Sequence, residues 1–230
     1  MAIAARRVLL TGGAGFIGRH VHETLSRSYD VVVLDSLRAD VHRDARPNID
    51  GLIVGDVRDP EALDRALHDV DAVIHLAAKV GLGVDVQDLP DYADSNVHGT
   101  AALLAAMTRA GVNQLVLASS MVVYGEGHGH CSTHGSVVPG ARRVADLDAG
   151  RYEPPCPVCG SELTPELVGE DAAQDPRNGY AATKVAQEQL ATVWARATGG
   201  SAQRVNDPAQ INTAMLKAIV AAGEAGAPDF

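Results

Sequence analysis

Tyr180 and Lys184 stand four residues apart in Tyr180-Ala-Ala-Thr-Lys184, a spacing that puts both side chains on one face of a helix. An ammonium held there lowers the pKa of a neighbouring phenol and moves it toward the range in which tyrosine acts as a general base. Bringing a phenol from near ~10 to about 7 takes roughly 4 kcal/mol of preferential phenolate stabilisation, which a lysine and a second positive charge together can supply. Leu115-Val116-Leu117-Ala118 reads as a strand that delivers Ser119 and Ser120. A hydroxyl from Ser120 would hold an oxygen as it passes between alcohol and ketone. Alone, a Tyr/Lys pair at this spacing is also what a solvated helix surface looks like, so the surrounding residues decide its meaning.

The three cysteines fall within one segment, as Cys131-Ser-Thr-His134-Gly135 and Cys156-Pro-Val-Cys159-Gly160. Each is a two-residue-spaced pair followed by glycine, a turn that aims backbone N–H groups at a metal-bound thiolate. Two such turns complete a tetrahedral Cys3His zinc site of Cys131, His134, Cys156 and Cys159, and a closed four-ligand set assigns that zinc to structure and not to hydrolysis. A redox pair of Cys156 and Cys159 is a rival that leaves Cys131 and His134 unexplained; three unpaired thiols are another. His128 and His130 are alternative ligands or solvated loop residues.

The elements that must position these groups begin at Thr11-Gly12-Gly13-Ala14-Gly15-Phe16-Ile17-Gly18, directly after Val8-Leu9-Leu10. This strand, glycine turn and helix form a dinucleotide-binding signature. Gly12 makes the tight turn, Gly15 lets a pyrophosphate approach the backbone, and Gly18 lets the helix pack closely on the sheet. Phe16 and Ile17, at the helix head, join the cofactor-binding set; with Val21 and Leu25 they are also expected to form the apolar face laid on the sheet. Tyr29 to Asp35 reads as a second strand ending in a carboxylate about twenty residues beyond the glycines, where an acid accepts hydrogen bonds from the adenosine ribose. Asp35 favours NAD over NADP by repelling a 2′-phosphate, a preference that Arg38 tempers; a solvated strand-end acid is the plainer alternative. Apolar strands are expected at about 7–11, 30–35, 51–55, 71–77 and 113–118, and helices at about 15–27, 60–68, 92–110 and 179–197. The alternation predicts an α/β fold, a Rossmann-type doubly wound parallel sheet that binds its ligand beyond the carboxyl ends of the strands.

The stretches TGGAGFIG (11–18), VVVLDSL (31–37), GDVRD (55–59), HLAAKVG (75–81), SNVHGT (95–100), LASSMVVYG (117–125) and PRNGYAATKVAQE (176–188) follow one another in a familiar order. Across about residues 7–197 the chain resembles the extended short-chain dehydrogenase/reductase family, in its nucleotide-sugar epimerase/dehydratase branch. The resemblance implies that Asp56 and Val57 border the adenine, that Ala77, Ala78 and Lys79 line the cofactor path, and that Asn96 supports the site. It further implies that Ser120, Tyr180 and Lys184 are the catalytic set, the last two also touching the cofactor. In this branch hydride leaves sugar C4 while the tyrosine takes the hydroxyl proton, and in epimerases the hydride returns to the other face of the ketone. Dehydratases carry an acid pair after the hydroxyl residue; Met121-Val122 stands there in this chain and argues against dehydration. A homodimer through the helix bearing Val185, Leu190 and Val193 is implied as well, although core packing also explains those residues.

Nineteen basic and twenty-nine acidic residues give a net charge of −10, which argues against nucleic acid or an anionic membrane as the main partner. No apolar stretch approaches a membrane span, and the first residues lack a secretory signal, so a cytoplasmic protein is expected. The chain is expected to divide into an NAD-binding domain (1–200) with an inserted segment at 126–172, and a remnant of a substrate-binding region (201–230). Gly-, Pro- and His-rich, that insertion is expected to be a zinc-stapled flap on the substrate side of the cleft. Within the remnant, Ser201 to Asn206 could form a strand, and Asp207-Pro208 could cap a helix at 211–222. Three functions remain open on the sequence: an NAD-dependent nucleotide-sugar 4-epimerase or close relative, an NAD-binding scaffold or partner subunit, and an oxidoreductase or cyclase-like enzyme acting on a small biosynthetic intermediate.

Overall fold

A computed structural model describes residues 7–42, 47–81 and 85–205. Along the chain come strands β1 (Arg7–Thr11), β2 (Asp30–Asp35), β3 (Leu52–Val54), β4 (Ala72–His75), β5 (Gln114–Ala118), β6 (His128–Cys131), β7 (Gly135–Val137), β8 (Thr164–Glu166) and β9 (Ser201–Val205). Helices are α1 (Phe16–Leu25), α2 (Ala39–His42), α3 (Pro60–Ala66), α4 (Leu89–Tyr92), α5 (Gly99–Ala110), α6 (Val144–Asp148) and α7 (Gly179–Thr198). The chain divides into two compact units, one reaching to Ser120 and resuming at Asn178, the other running from Met121 to Arg177.

In the first unit the strands lie in the order β3-β2-β1-β4-β5-β9, and every neighbouring pair is parallel. The strand order reverses between β1 and β4, and at such a switch point the carboxyl ends of the strands open a crevice for a ligand. The strand sequences are apolar without alternation because both faces are covered. Leu9, Val73 and Leu117 face Leu63, Leu103, Met107, Ala191 and Trp194 of α3, α5 and α7, whereas Val8, Leu10, Ile74 and Val116 face Val21 and Leu25 of α1.

Each strand expected in this unit is present, with β3 and β4 shorter than predicted by one or two residues at either end. The helix expected at 92–110 begins earlier, at α4, and passes through a widened π-type turn at Ala93–His98 before α5. One expectation fails. Phe16 is 83% exposed and Ile17 42%, so α1 buries only Gly18, Val21 and Leu25. These three share one side of the helix at i, i+3 and i+7, and Phe16, two residues before Gly18, points away from it. The boundary placed at residue 200 also falls short, because β9 pairs with β5 from Gln114↔Ser201 to Ala118↔Val205 and belongs to the sheet. The helix expected at 211–222 and its cap at Asp207-Pro208 lie outside the described residues.

The second unit is wider than the predicted 126–172 and contains structure that the sequence pattern did not announce. Strands β7-β6-β8 form an antiparallel sheet in which Cys131 faces Gly135 and His128 faces Glu166. Cys131, Cys156 and Leu163 are buried together, with Val137 packed against them.

Candidate functional site

Gly12 N donates to Leu34 O at 2.8 Å, tying the glycine turn to β2. Its φ is +70°, and a Cβ there would sit 2.7 Å from Ala77 N, so the turn passes tightly against the end of β4. A Cβ on Gly18 would lie 2.6 Å from Gly13 Cα, which is how closely α1 approaches the loop. At Gly15 the space is open apart from Gly12 O at 3.4 Å. Gly15 is the N-cap of α1, has no side chain to cap with, and is followed by a first turn without acidic residues. The first N–H groups of α1 therefore remain available to an anion. Asp35 is buried at the end of β2, with Oδ2 accepting from Ala14 N at 3.0 Å and Oδ1 from Leu37 N at 2.9 Å. This open helix end, glycine cradle and strand-end carboxylate fit a dinucleotide.

Further along the rim, Asn96 is fully buried in the π-type turn. Its Oδ1 accepts from Lys79 N at 2.7 Å, and its Nδ2 donates to Lys79 O at 3.0 Å and to Thr183 Oγ1 at 2.9 Å. Asn96 thus fixes the chain after β4 against α7. Ala77 N reaches Thr11 Oγ1 at 3.3 Å, and Ala78 is half-buried beside it. The Lys79 ammonium donates to Asp91 at 2.5 Å, and Arg38 grips the same carboxylate at 3.1 and 3.2 Å. These two cations hold Asp91 far below the usual carboxylate range, Arg38 contributing most. Val57 is buried, whereas Asp56 is clamped by Arg58, whose Nε donates at 2.8 Å and holds the carboxyl below its ordinary value.

Asn178 caps α7, accepting from Ala181 N at 2.8 Å, and so starts the helix just before Tyr180. The Tyr180 phenol is hydrogen-bonded to the Ser120 side chain. Lys184 Nζ lies 5.9 Å from the Tyr180 ring centroid and donates to Ala118 O at 2.9 Å. The structure thus brings Ser120, Tyr180 and Lys184 together where β5 ends. Burial pushes the Lys184 ammonium down to about 8, with buried Glu188 opposing the shift. Burial also raises Tyr180 above the ordinary phenol value, against the lowering effect of Ser120. The protein's own groups therefore do not bring the phenol down as the spacing with Lys184 led us to expect.

Several neighbours carry no linear signature. Glu188, one turn beyond Lys184, accepts from Ser119 and from Arg204 of β9. His75 is buried between Thr11 Oγ1 at 2.7 Å and Thr100 Oγ1 at 2.9 Å, and Gln187 Nε2 donates to Thr100 at 2.6 Å. This row links β1, β4, α5 and α7. Burial drops the His75 pKa to about 3, so the ring is neutral.

In the second unit the ligand-capable atoms of Cys131, His134, Cys156 and Cys159 all lie within 4.8 Å of one another. His130 instead pairs with Glu166 at 3.3 Å, and His128 is not part of the cluster.

A family model described as the NAD dependent epimerase/dehydratase family matches residues 8–141, more than half of the chain. The chain belongs to this family. It is 36% identical over 206 residues to a dTDP-L-rhamnose 4-epimerase of Burkholderia thailandensis, an alignment covering 85% of this chain and 55% of that one. Its structure is similar to that of a UDP-glucose 4-epimerase from Brucella ovis in complex with NAD, with a TM-score of 0.62, 29% identity, and coverage of 88% of this chain and 51% of that one. MoeE5, solved with UDP-glucuronic acid and NAD, matches with a TM-score of 0.60 at 28% identity over 86% of this chain and 52% of the other. Thus the chain spans about half the length of these relatives. No described helix is long and apolar enough to cross a membrane.

Proposed function

We propose that this chain carries the hydride-transfer site of an NAD-dependent nucleotide-sugar 4-epimerase. The observation that carries the reading is the Ser120–Tyr180 hydrogen bond, with Lys184 buried beside it at the end of β5. NAD, when bound, supplies a reversible hydride acceptor for sugar C4 and a positive charge that stabilises a nearby phenolate. Gly12, Gly15, Gly18, Phe16 and Ile17 would receive its pyrophosphate, Asp35 its adenosine ribose, Asp56 and Val57 its adenine, and Ala77, Ala78, Lys79 and Asn96 the path beyond. Tyr180 takes the proton from the C4 hydroxyl as general base and returns it. Ser120 holds the same oxygen through its hydroxyl. Lys184, fixed by Ala118 O, keeps its ammonium near the phenol, where together with the positive charge of bound NAD it would offset the burial that raises Tyr180. Met121-Val122 in place of an acid pair favours epimerisation over elimination of water.

The same reading includes a cytoplasmic homodimer in which Val193, exposed on α7, meets a second copy. A metal on Cys131, His134, Cys156 and Cys159 takes no part in hydride transfer and serves the fold of residues 121–177.

The test is incubation of the NAD-loaded protein with a panel of UDP- and dTDP-hexoses, followed by chromatographic separation of C4 epimers. One substrate should convert, and Tyr180→Phe should slow it by roughly 10²–10⁴-fold while NAD affinity stays within twofold (about 0.4 kcal/mol). Conversion that survives Tyr180→Phe unchanged, or its absence from the whole panel with NAD bound, overturns the reading.

A further inference from the structure

We propose that Cys131, Cys156 and Cys159, through their sulfurs, and His134, through Nδ1, bind one zinc ion in a closed tetrahedral site that residues 121–177 need in order to fold. Three of the six ligand separations match the edges of a coordination tetrahedron, and all six lie within 4.8 Å. With Zn–S near ~2.3 Å and Zn–N near ~2.0 Å, the S···S edges come to about 3.8 Å and the S···N edges to about 3.5 Å. Cys131 Sγ lies 3.7 Å from Cys159 Sγ and 3.5 Å from His134 Nδ1, and Cys156 Sγ lies 3.7 Å from the same Nδ1. A redox disulfide between Cys156 and Cys159 would give no reason for an imidazole nitrogen to face both Cys131 and Cys156.

The backbone prepares the site from two turns. Cys131 ends β6, His134 occupies the turn to β7, and Gly135 follows with φ +70°. Across the site Gly160 N donates to Cys156 O at 2.9 Å and Cys156 N to Ser161 O at 2.8 Å, closing a turn in which Gly160 has φ +75°. The Cys159 thiol donates to Ser161 Oγ at 3.2 Å, and backbone N–H groups of Thr133 and His134 are directed at the Cys131 sulfur. Three thiolates and a neutral imidazole leave a zinc complex with one net negative charge, and these N–H donors disperse it. Sulfur and imidazole ligands suit zinc and exclude calcium and magnesium, which take oxygen.

A second observation explains why the segment needs an ion. Its buried apolar cluster is Cys131, Cys156 and Leu163, flanked by Val137; two of the three buried members are the ligands themselves. Its strands are only three or four residues long. So small a core does not offset the conformational entropy of ordering the segment, and ligand binding that occurs only in the folded state supplies the difference.

The proposal is independent of the 4-epimerase reading and is tested on the full chain without a sugar. Metal analysis should give one zinc per chain, falling at least tenfold in Cys159→Ser and in His134→Ala but retained in His134→Cys, which restores a fourth ligand. Because the serine variant risks misfolding, wild-type protein stripped with a chelator is also titrated with cobalt(II). It should develop the intense visible bands of tetrahedral thiolate-bound cobalt, lose them on adding zinc, and gain protease resistance within residues 121–177. Zinc content unchanged in both ligand-deleting variants, weak octahedral cobalt bands, or a segment equally resistant with and without metal overturns the proposal. One zinc per chain with these responses upholds it, whatever the sugar assay shows.

Discussion

Lys184 is the residue whose environment has the clearest measurable consequence. Its ammonium is fully buried and titrates at about 8, down from 10.5. Between these values the unfolded chain holds one more proton at this site than the native chain, so stability rises with pH across that window. The shift corresponds to a contribution on the order of 3 kcal/mol. Denaturant unfolding of wild type and Lys184→Met at pH values from 7 to 10.5 should therefore show wild type gaining stability relative to the variant, most of the change falling above pH 8. Parallel pH profiles would disprove the buried ammonium. The Tyr180/Lys184 spacing made the pair visible in the sequence because four residues along a helix is a local relation. Asp91, which holds Lys79 and Arg38 together, and His75, which joins Thr11 to Thr100, were not visible, because their partners arrive from strands and helices far away in the chain.

At the scale of elements, α1 depends on how near it lies to the glycine turn. A methyl group at position 18 meets Gly13 Cα at 2.6 Å, a contact with backbone that no side-chain rotation relieves. Gly18→Ala should destabilise the protein by about 1–3 kcal/mol and, by tilting the helix end, weaken NAD binding at least tenfold (about 1.4 kcal/mol). Calorimetric titration with NAD together with thermal unfolding checks both; unaltered affinity would mean that the helix end does not carry the phosphate. The strands of the parallel sheet were legible because burial on both faces writes continuous apolar runs. Phe16 misled because its hydrophobicity was read as burial, although its angular position, opposite Gly18 on α1, already sets it outward. Strands β6, β7 and β8 were illegible for a different reason: His128-Gly-His-Cys131 and Thr164-Pro-Glu166 have neither an alternating pattern nor enough length to show one.

For the whole molecule, cofactor choice offers a simple readout. Asp35 is buried at the end of β2, with both carboxylate oxygens oriented by backbone N–H groups, and a 2′-phosphate placed beside it would meet a fixed negative charge. Saturation with NAD at about a hundred times its dissociation constant should stabilise the chain by about 2.7 kcal/mol, seen as a rise in melting temperature. NADP at the same concentration should give a much smaller rise, and Asp35→Ala should narrow the gap. An equal rise with both nucleotides in wild type would remove Asp35 as the discriminator. The family and the cofactor class were readable because seven motifs keep their order along the chain. The partition into units at 120/121 and 177/178 was not, because a compact unit is defined by contacts closing on themselves and not by composition. One of those closures is Asp175 N donating to Val123 O at 2.8 Å, which brings the first and last turns of the 121–177 unit side by side. A piece of chain that enters and leaves through neighbouring points makes little demand on the length between them, so this segment is a natural port for transplantation: it can be exchanged for a short linker, or carry a reporter, without stretching the chain at either junction.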